Sequence, residues 1–194
     1  AEAAAAPPAP PAVEEEYAWD FTPESPLNGP EPIVATLIGD PGVGKTHIAM
    51  TFPRPLAIFD SEARARTVAR KFRDVYIKTP RDYSELKAGV MYAARKWIKT
   101  PGTIVIDSAS DLRDSIEEWV IAAINKSNQK VHPKFHWGVV YEELATMLAF
   151  LRGRGWCVVF TARLGDVFEN DLKTGKREPN SFITNKVEYH SDVV

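Results

Sequence analysis

The stretch VATLIGDPGVGKTHIAM, Val34 to Met50, decides how the rest of the chain is read. An apolar, β-branched run ends at Gly39, a short loop follows, and Lys45 and Thr46 open a helical segment. Gly39, Asp40, Pro41, Gly42, Val43, Gly44, Lys45 and Thr46 satisfy the pattern G-x-x-x-x-G-K-[ST] throughout, in strand–loop–helix order. The glycines let successive backbone N–H groups turn inward at a positive helix end, which makes a nest for an anion. From this spacing Lys45 can reach β- and γ-phosphates, and the Thr46 hydroxyl can ligate Mg²⁺.

Outward from this loop, short apolar runs alternate with helical periodicity. The runs are IVATLI (33–38), PLAIFD (55–60), DVYIK (74–78), TIVID (103–107) and WCVVFT (156–161). Between them, EARARTVARKF sets Ala65, Val68, Ala69 and Phe72 on one face and arginines on the other. YSELKAGVMYAARKWI, SDLRDSIEEWVIAAIN and WGVVYEELATMLAFLR also repeat near 3.6 residues. Strands of this kind alternating with helices predict an α/β fold, a three-layer sandwich around a mostly parallel central sheet.

Three strand ends carry further chemistry. TIVIDS delivers Asp107 to the carboxyl end of a strand, where open parallel sheets bind ligands and a carboxylate can serve Mg²⁺; Ser108 can assist. LAIFDSEAR ends in Asp60, Ser61 and Glu62. Asp60 or Ser61 capping the next helix is one reading of that cluster. The other makes Glu62 the base for an attacking water, on a strand expected to neighbour the Gly39 strand. VVFTAR ends with Thr161, able to sense a γ-phosphate, and Arg163; Arg152 and Arg154 precede that strand. An arginine supplied by a neighbouring subunit could stabilise transition-state charge, and a surface arginine is the plain alternative for each. His132 and His136 flank Pro133 without a third ligand nearby, and His47 reads as a bystander.

Composition bounds the partners. The 194 residues are 44% hydrophobic and 26% charged, as in a globular protein with a proper core, and no apolar run is long enough to span a membrane. The alanine- and proline-rich start is not a signal peptide, and the single Cys157, inside an apolar run, reads as core. An intracellular, cytoplasmic setting is expected. Residues 1–32 read as an acidic Pro/Ala-rich tail or linker, with an aromatic strap at Tyr17, Trp19 and Phe21; residues 33–194 read as the catalytic domain. The tail holds seven acids and no lysine or arginine, so a chain of net −2 has a body of +5. Basic residues cluster at 64–81 and again at 121–136, suited to a polyanion or to plain solvated faces.

With LIGDPGVGKTHIAMTFPRPLAIFDSEA, GTIVIDSASDL and HWGVVYEELATMLAFLRGRGWCVVFTAR in order, the sequence resembles RecA-type P-loop ATPase cores. It looks most like phage-encoded nucleotide-binding (AAA/RecA-like) ATPases of recombination and single-strand annealing modules. The resemblance implies a Mg²⁺-dependent ATPase forming homo-oligomeric rings or filaments on single-stranded DNA, in a host cytoplasm if phage-encoded. It implies Lys45, Glu62 and Asp107 in catalysis, and Thr46 and Asp107 at the metal. Loops after the later strands, Asn125–His136 and Arg163–Ser181, would touch DNA. The second is charge-neutral, and its DLKTGKRE reads as a hairpin turn. Two other readings stay open: a small-molecule kinase with Arg163–Ser181 as lid, and a nucleotide-switched assembly or packaging module.

Overall fold

The computed structural model describes residues 31–97, 99–126, 135–169, 172–179, 187 and 190–193. The Pro/Ala-rich tail, its aromatic strap and the basic loop 127–134 lie outside the described residues. Residues from Glu31 to Val194 form one unit of the chain.

Five strands occupy the predicted runs: β1 (Val34–Ile38), β2 (Leu56–Asp60), β3 (Val75–Lys78), β4 (Thr103–Asp107) and β5 (Cys157–Ala162). They form a single parallel sheet in the order β1-β5-β4-β2-β3. The connecting helices are α1 (Lys45–Ala49), α2 (Ala65–Ala69), α3 (Tyr83–Lys96), α4 (Ala109–Lys126) and α5 (Phe135–Arg152). The architecture is the expected three-layer α/β sandwich of a P-loop fold.

Because strand side chains alternate between faces, β1, β2, β4 and β5 each feed two cores. Val34, Phe59, Ile106 and Phe160 pack against α3, α4 and α5 through residues such as Leu86, Ile116 and Leu144. Ala35, Ile58, Val105 and Val159 pack on the other face against Met50 of the α1 end and Ala65 of α2. Cys157 is buried in β5, as its apolar neighbours imply. The outer edge of β1 is covered by residues 191–193: Thr36 donates its amide to the Val193 carbonyl at 2.9 Å, and Val193 bridges Ala35 in parallel. Among the described residues, no helix is long and apolar enough to cross a membrane.

After β5 the chain forms an antiparallel hairpin, β6 (Leu164–Glu169) and β7 (Leu172–Pro179). The described part of DLKTGKRE, from Leu172 on, is therefore strand and not turn. Gly175 marks a bulge instead: its φ of 78° is open to glycine, and the register shifts across it between Asp166 and Phe168. The Thr174 hydroxyl donates to the Val167 carbonyl at 2.9 Å and closes the bulge.

Candidate functional site

Register places the site before any side chain is considered. Asp60 aligns with Asp107, and Asp107 with Thr161, so the ends of β2, β4 and β5 present one row of polar residues. All three are buried, as are the apolar residues preceding them on the same strands. The loop after β1 meets this row. Gly42 and Gly44 take φ of 86° and 97°, values that side chains resist, and Gly44 turns the chain into α1. Helix α1 is only five residues long, and its N-terminal turn is entered through the left-handed Gly44.

Lys45 folds back over the loop and donates from Nζ to the carbonyls of Gly39 and Asp40, at 2.8 and 2.9 Å. Burial lowers its pKa below the usual lysine range; Asp107 opposes that shift and the nearby Arg163 adds to it. The Thr46 hydroxyl donates to Asp107 Oδ2 at 2.7 Å, and the Thr161 hydroxyl donates to Asp107 Oδ1 at 2.5 Å. Asp107 is thus fixed from two sides, with both oxygens held at the mouth of the loop. A threonine hydroxyl and a carboxylate at this distance are hard oxygen donors of the kind Mg²⁺ takes alongside phosphate oxygens and water, so the residues fit that ion.

Asp60 and Glu62 separate into different roles. Asp60 turns its carboxylate to the backbone, accepting from the Glu62 amide at 3.1 Å and the Ala65 amide at 2.7 Å. Burial raises its pKa and the Asp107 charge adds to that, while the amides of Ala65, Ala63 and Arg64 oppose it. Asp60 therefore fastens the turn into α2, which is the capping reading. Glu62 and Asp60 both line a cavity of about 280 Å³, with Lys45, Thr46, Asp107, Thr161 and Arg163. The expectation that the strand before Glu62 neighbours the Gly39 strand is wrong: β5 and β4 stand between β1 and β2. The residue still reaches the cavity because β1, β2, β4 and β5 all open onto it at their carboxyl ends.

A family model described as an AAA domain matches residues 31–194, nearly all of the described unit. The chain belongs to this AAA domain family. A comparison with curated proteins gives no match. The family carries the coarse conclusion that this is a nucleotide-binding, ATPase-class protein.

Several expectations for the AAA domain change on contact with its geometry. Thr161 serves Asp107 directly. Ser108 turns away from Thr46 and donates to Asp111 Oδ2 at 2.9 Å. Arg163 faces the cavity of its own chain, ion-paired with Glu62. Arg152 instead pairs with Asp192 at 3.1 Å, and Arg154 lies over the Phe150 ring, 3.8 Å from its centroid. His47 packs edge-on against Phe72, with ring centroids 5.1 Å apart.

Three residues join this site that the sequence reading did not place there, Arg64 and Arg177 having been read only within the basic 64–81 stretch and the 163–181 loop. Arg64 approaches Glu62 at 3.4 Å. Asp111 accepts from Ser61 at 2.7 Å and lies 3.7 Å from Arg163. Arg177 of β7 ion-pairs with Asp40 of the phosphate loop and donates to the Leu164 carbonyl at 2.9 Å. Asp111 lies close to the strand end in sequence, in the first turn of the helix that follows Asp107. Arg177 had no such local signal, being 137 positions from Asp40.

Proposed function

We propose that this AAA domain hydrolyses ATP with Mg²⁺, and that turnover is coupled to handling single-stranded DNA in recombination or replication, as in phage-encoded annealing modules. One observation carries the hydrolytic half: Lys45, Thr46, Asp107 and Glu62 line the same cavity. In this reading the loop amides and Lys45 bind the β- and γ-phosphates, Thr46 and Asp107 hold Mg²⁺, and Thr161 keeps Asp107 aimed. Bound there, Mg²⁺ neutralises charge on the phosphate oxygens. Glu62 takes the proton of a water directed at the γ-phosphorus. The buried row beneath excludes bulk water from the other side.

The DNA half rests on the outer face of α2 and the turn after it. Arg66, Arg70, Lys71 and Arg73 are exposed there and, among the described residues, have no ion pair. Such a group meets a phosphate backbone without first breaking an internal bridge. Lys78 and Arg81, in the same basic stretch, are instead neutralised by Glu85. Assembly into a ring or filament on the strand belongs to the same proposal.

Phosphate release from ATP, with and without single-stranded DNA and with Glu62→Gln as control, tests both halves. Stimulation by DNA that the variant loses is expected. Turnover indifferent to DNA removes the DNA half. A second reading, phosphoryl transfer to a small molecule, draws on Arg177 of the hairpin lying against the phosphate loop as a lid would. A phosphorylated acceptor in place of free phosphate would select it.

A further inference from the structure

The sheet has a second hollow, away from the phosphate cavity. Strand β3 ends the order of the sheet, and among the described residues no strand pairs with its outer side. Alternation puts Tyr76 and Lys78 on the face that α3 covers, while Val75 and Ile77 pack on the side of α2. Helix α3 comes close to the sheet at Gly89, where an added Cβ would stand 2.5 Å from the Phe59 ring. Beside that contact, helix and edge strand part into a groove of about 470 Å³, a size usual for ligand sites. Its buried floor is apolar, from Ala57, Phe59 and Ala93, and its rim is aromatic, from Tyr76, Tyr92 and Trp97.

The rim rings face solvent. Tyr92 is 66% exposed and Tyr76 46%, and the Tyr76 and Trp97 ring centroids lie 4.7 Å apart. Lys96 Nζ sits over all three rings, 5.8 Å from the centroids of Tyr76 and Tyr92 and 5.1 Å from that of Trp97. Among the described residues it has no carboxylate partner. A ring holds an exposed ammonium less firmly than a phosphate oxygen does. The one carboxylate lining the groove, Glu85, is taken by Lys78 at 2.8 Å and Arg81 at 3.0 Å. The place of a cationic ligand is thus filled by the protein's own lysine, and the groove is left suited to a flat group that carries negative charge.

Charge around the groove points the same way. Residues 64–99, which build α2, β3 and α3, hold eleven lysines and arginines against three acids, whereas the rest of the 33–194 body is net acidic. Arg70, Lys71 and Arg73 lead into β3, and Arg95, Lys96 and Lys99 lie at the end of α3, all exposed. Rings interleaved with cations match a chain that repeats a base and a phosphate. A peptide strand fits less well, because β3 offers an edge of four residues with Lys78 on it, and short lysine-bearing edges resist strand addition.

We propose that this groove takes bases of a single-stranded nucleic acid, stacked on Tyr76 and Tyr92, while Lys96 leaves the rings for a phosphate; this rests on the DNA half of the reading above. The strand supplies both sides of the exchange. Its phosphate oxygens draw the ammonium off, and a base face covers the rings that the ammonium leaves. Arg73 before β3 and Arg95 and Lys99 beyond the groove meet the neighbouring phosphates.

The test is fluorescence anisotropy of a labelled oligothymidylate with the full chain at several salt concentrations, in wild type, Tyr92→Ala, Tyr92→Phe, Lys96→Gln and Arg70→Ala. Tyr92→Ala is expected to weaken binding about tenfold with the salt slope unchanged, as for one lost base stack, and Tyr92→Phe to keep wild-type affinity. Lys96→Gln is expected to lower the salt slope by about 0.7, the share of one phosphate contact on a single strand. An abasic sugar–phosphate oligomer should bind wild type and Tyr92→Ala alike, because it has nothing to stack.

Tyr92→Ala binding as tightly as wild type, or wild type binding the abasic oligomer as tightly as oligothymidylate, would overturn the groove. DNA would then belong to the α2 face alone, and weaker binding by Arg70→Ala would report it. Poly-glutamate bound by wild type and lost in Tyr92→Ala would give the groove to an acidic peptide instead. Thymidine monophosphate competing as well as the oligomer, nucleotide for nucleotide, would make it a pocket for free nucleotide. No binding of oligothymidylate by wild type at low salt would remove the DNA half of the proposed function and the groove with it.

Discussion

The two faces of the sheet are built from different material. One is covered by α3, α4 and α5, helices of 14, 18 and 18 residues, and holds most of the large buried side chains. The other is covered by α1 and α2, five residues each, and a smaller core. The cavity is lined by the two short helices and the turns that enter them, together with the strand ends beside them. Long helices bury wide apolar stripes and hold the fold; short ones leave backbone amides and polar turn residues at the sheet's edge, where a ligand can reach them. Stability and chemistry are divided between the faces, and that division can be attacked.

The largest effect should come from the short-helix face and appear in activity alone. Lys45→Ala is expected to lower phosphate release by about a thousandfold, in line with loss of a donor to developing charge, with little change in the melting temperature of the unliganded chain. Steady-state kinetics and calorimetry on one preparation check both halves. A large drop in melting temperature would mean that the Lys45 bonds to Gly39 and Asp40 hold the fold as well as the site.

The long-helix face should respond in the opposite way. Leu144 is fully buried on α5, so Leu144→Ala is expected to cost about 3 kcal/mol by denaturant unfolding, with nucleotide affinity of the folded fraction unchanged. Val68 is half-buried on α2, and Val68→Ala should cost only about 1 kcal/mol. Turnover should nevertheless fall more than stability does, because α2 anchors the turn that carries Glu62. If Val68→Ala and Leu144→Ala behave alike, the faces are not divided as described.

The smallest effect is a pH dependence at the start of α3. Lys78, then the amide and guanidinium of Arg81, hold the Glu85 carboxyl down to about 2. A carboxylate depressed in the folded state stabilises above its unfolded value, and that contribution is lost as pH falls through the folded one. Glu85→Gln should therefore melt about two degrees below wild type at neutral pH, with the gap closing between about pH 4.5 and 2. A gap that persists in acid would assign the effect to packing. The pair is exposed, so high salt should narrow the gap as well.

What could be read from the chain followed from local periodicity and local motif. The five strands, the helical stretches, the glycine loop and Asp107 at a strand end all lie within spans of a few residues, where alternation and 3.6-residue repeats report directly on backbone geometry. DLKTGKRE misled because a lysine-threonine-glycine sequence signals a turn equally well when glycine serves a bulge. Glu62 was legible as a strand-end acid, while its distance in the sheet from β1 was not, since periodicity assigns a residue to a face and says nothing of which strand lies beside it.

The sequence by itself therefore determined the five strands of the parallel sheet, the α/β class and the glycine loop, because each is a property of neighbours along the chain. Tertiary structure alone decided the order β1-β5-β4-β2-β3, the grip of Thr46 and Thr161 on Asp107, the pairing of Arg163 with Glu62, and the reach of Arg177 to Asp40. Those contacts join residues far apart in the chain, 61 positions for Thr46 and Asp107 and 137 for Asp40 and Arg177. They form only when the packing of both sheet faces brings five strand ends to a common level.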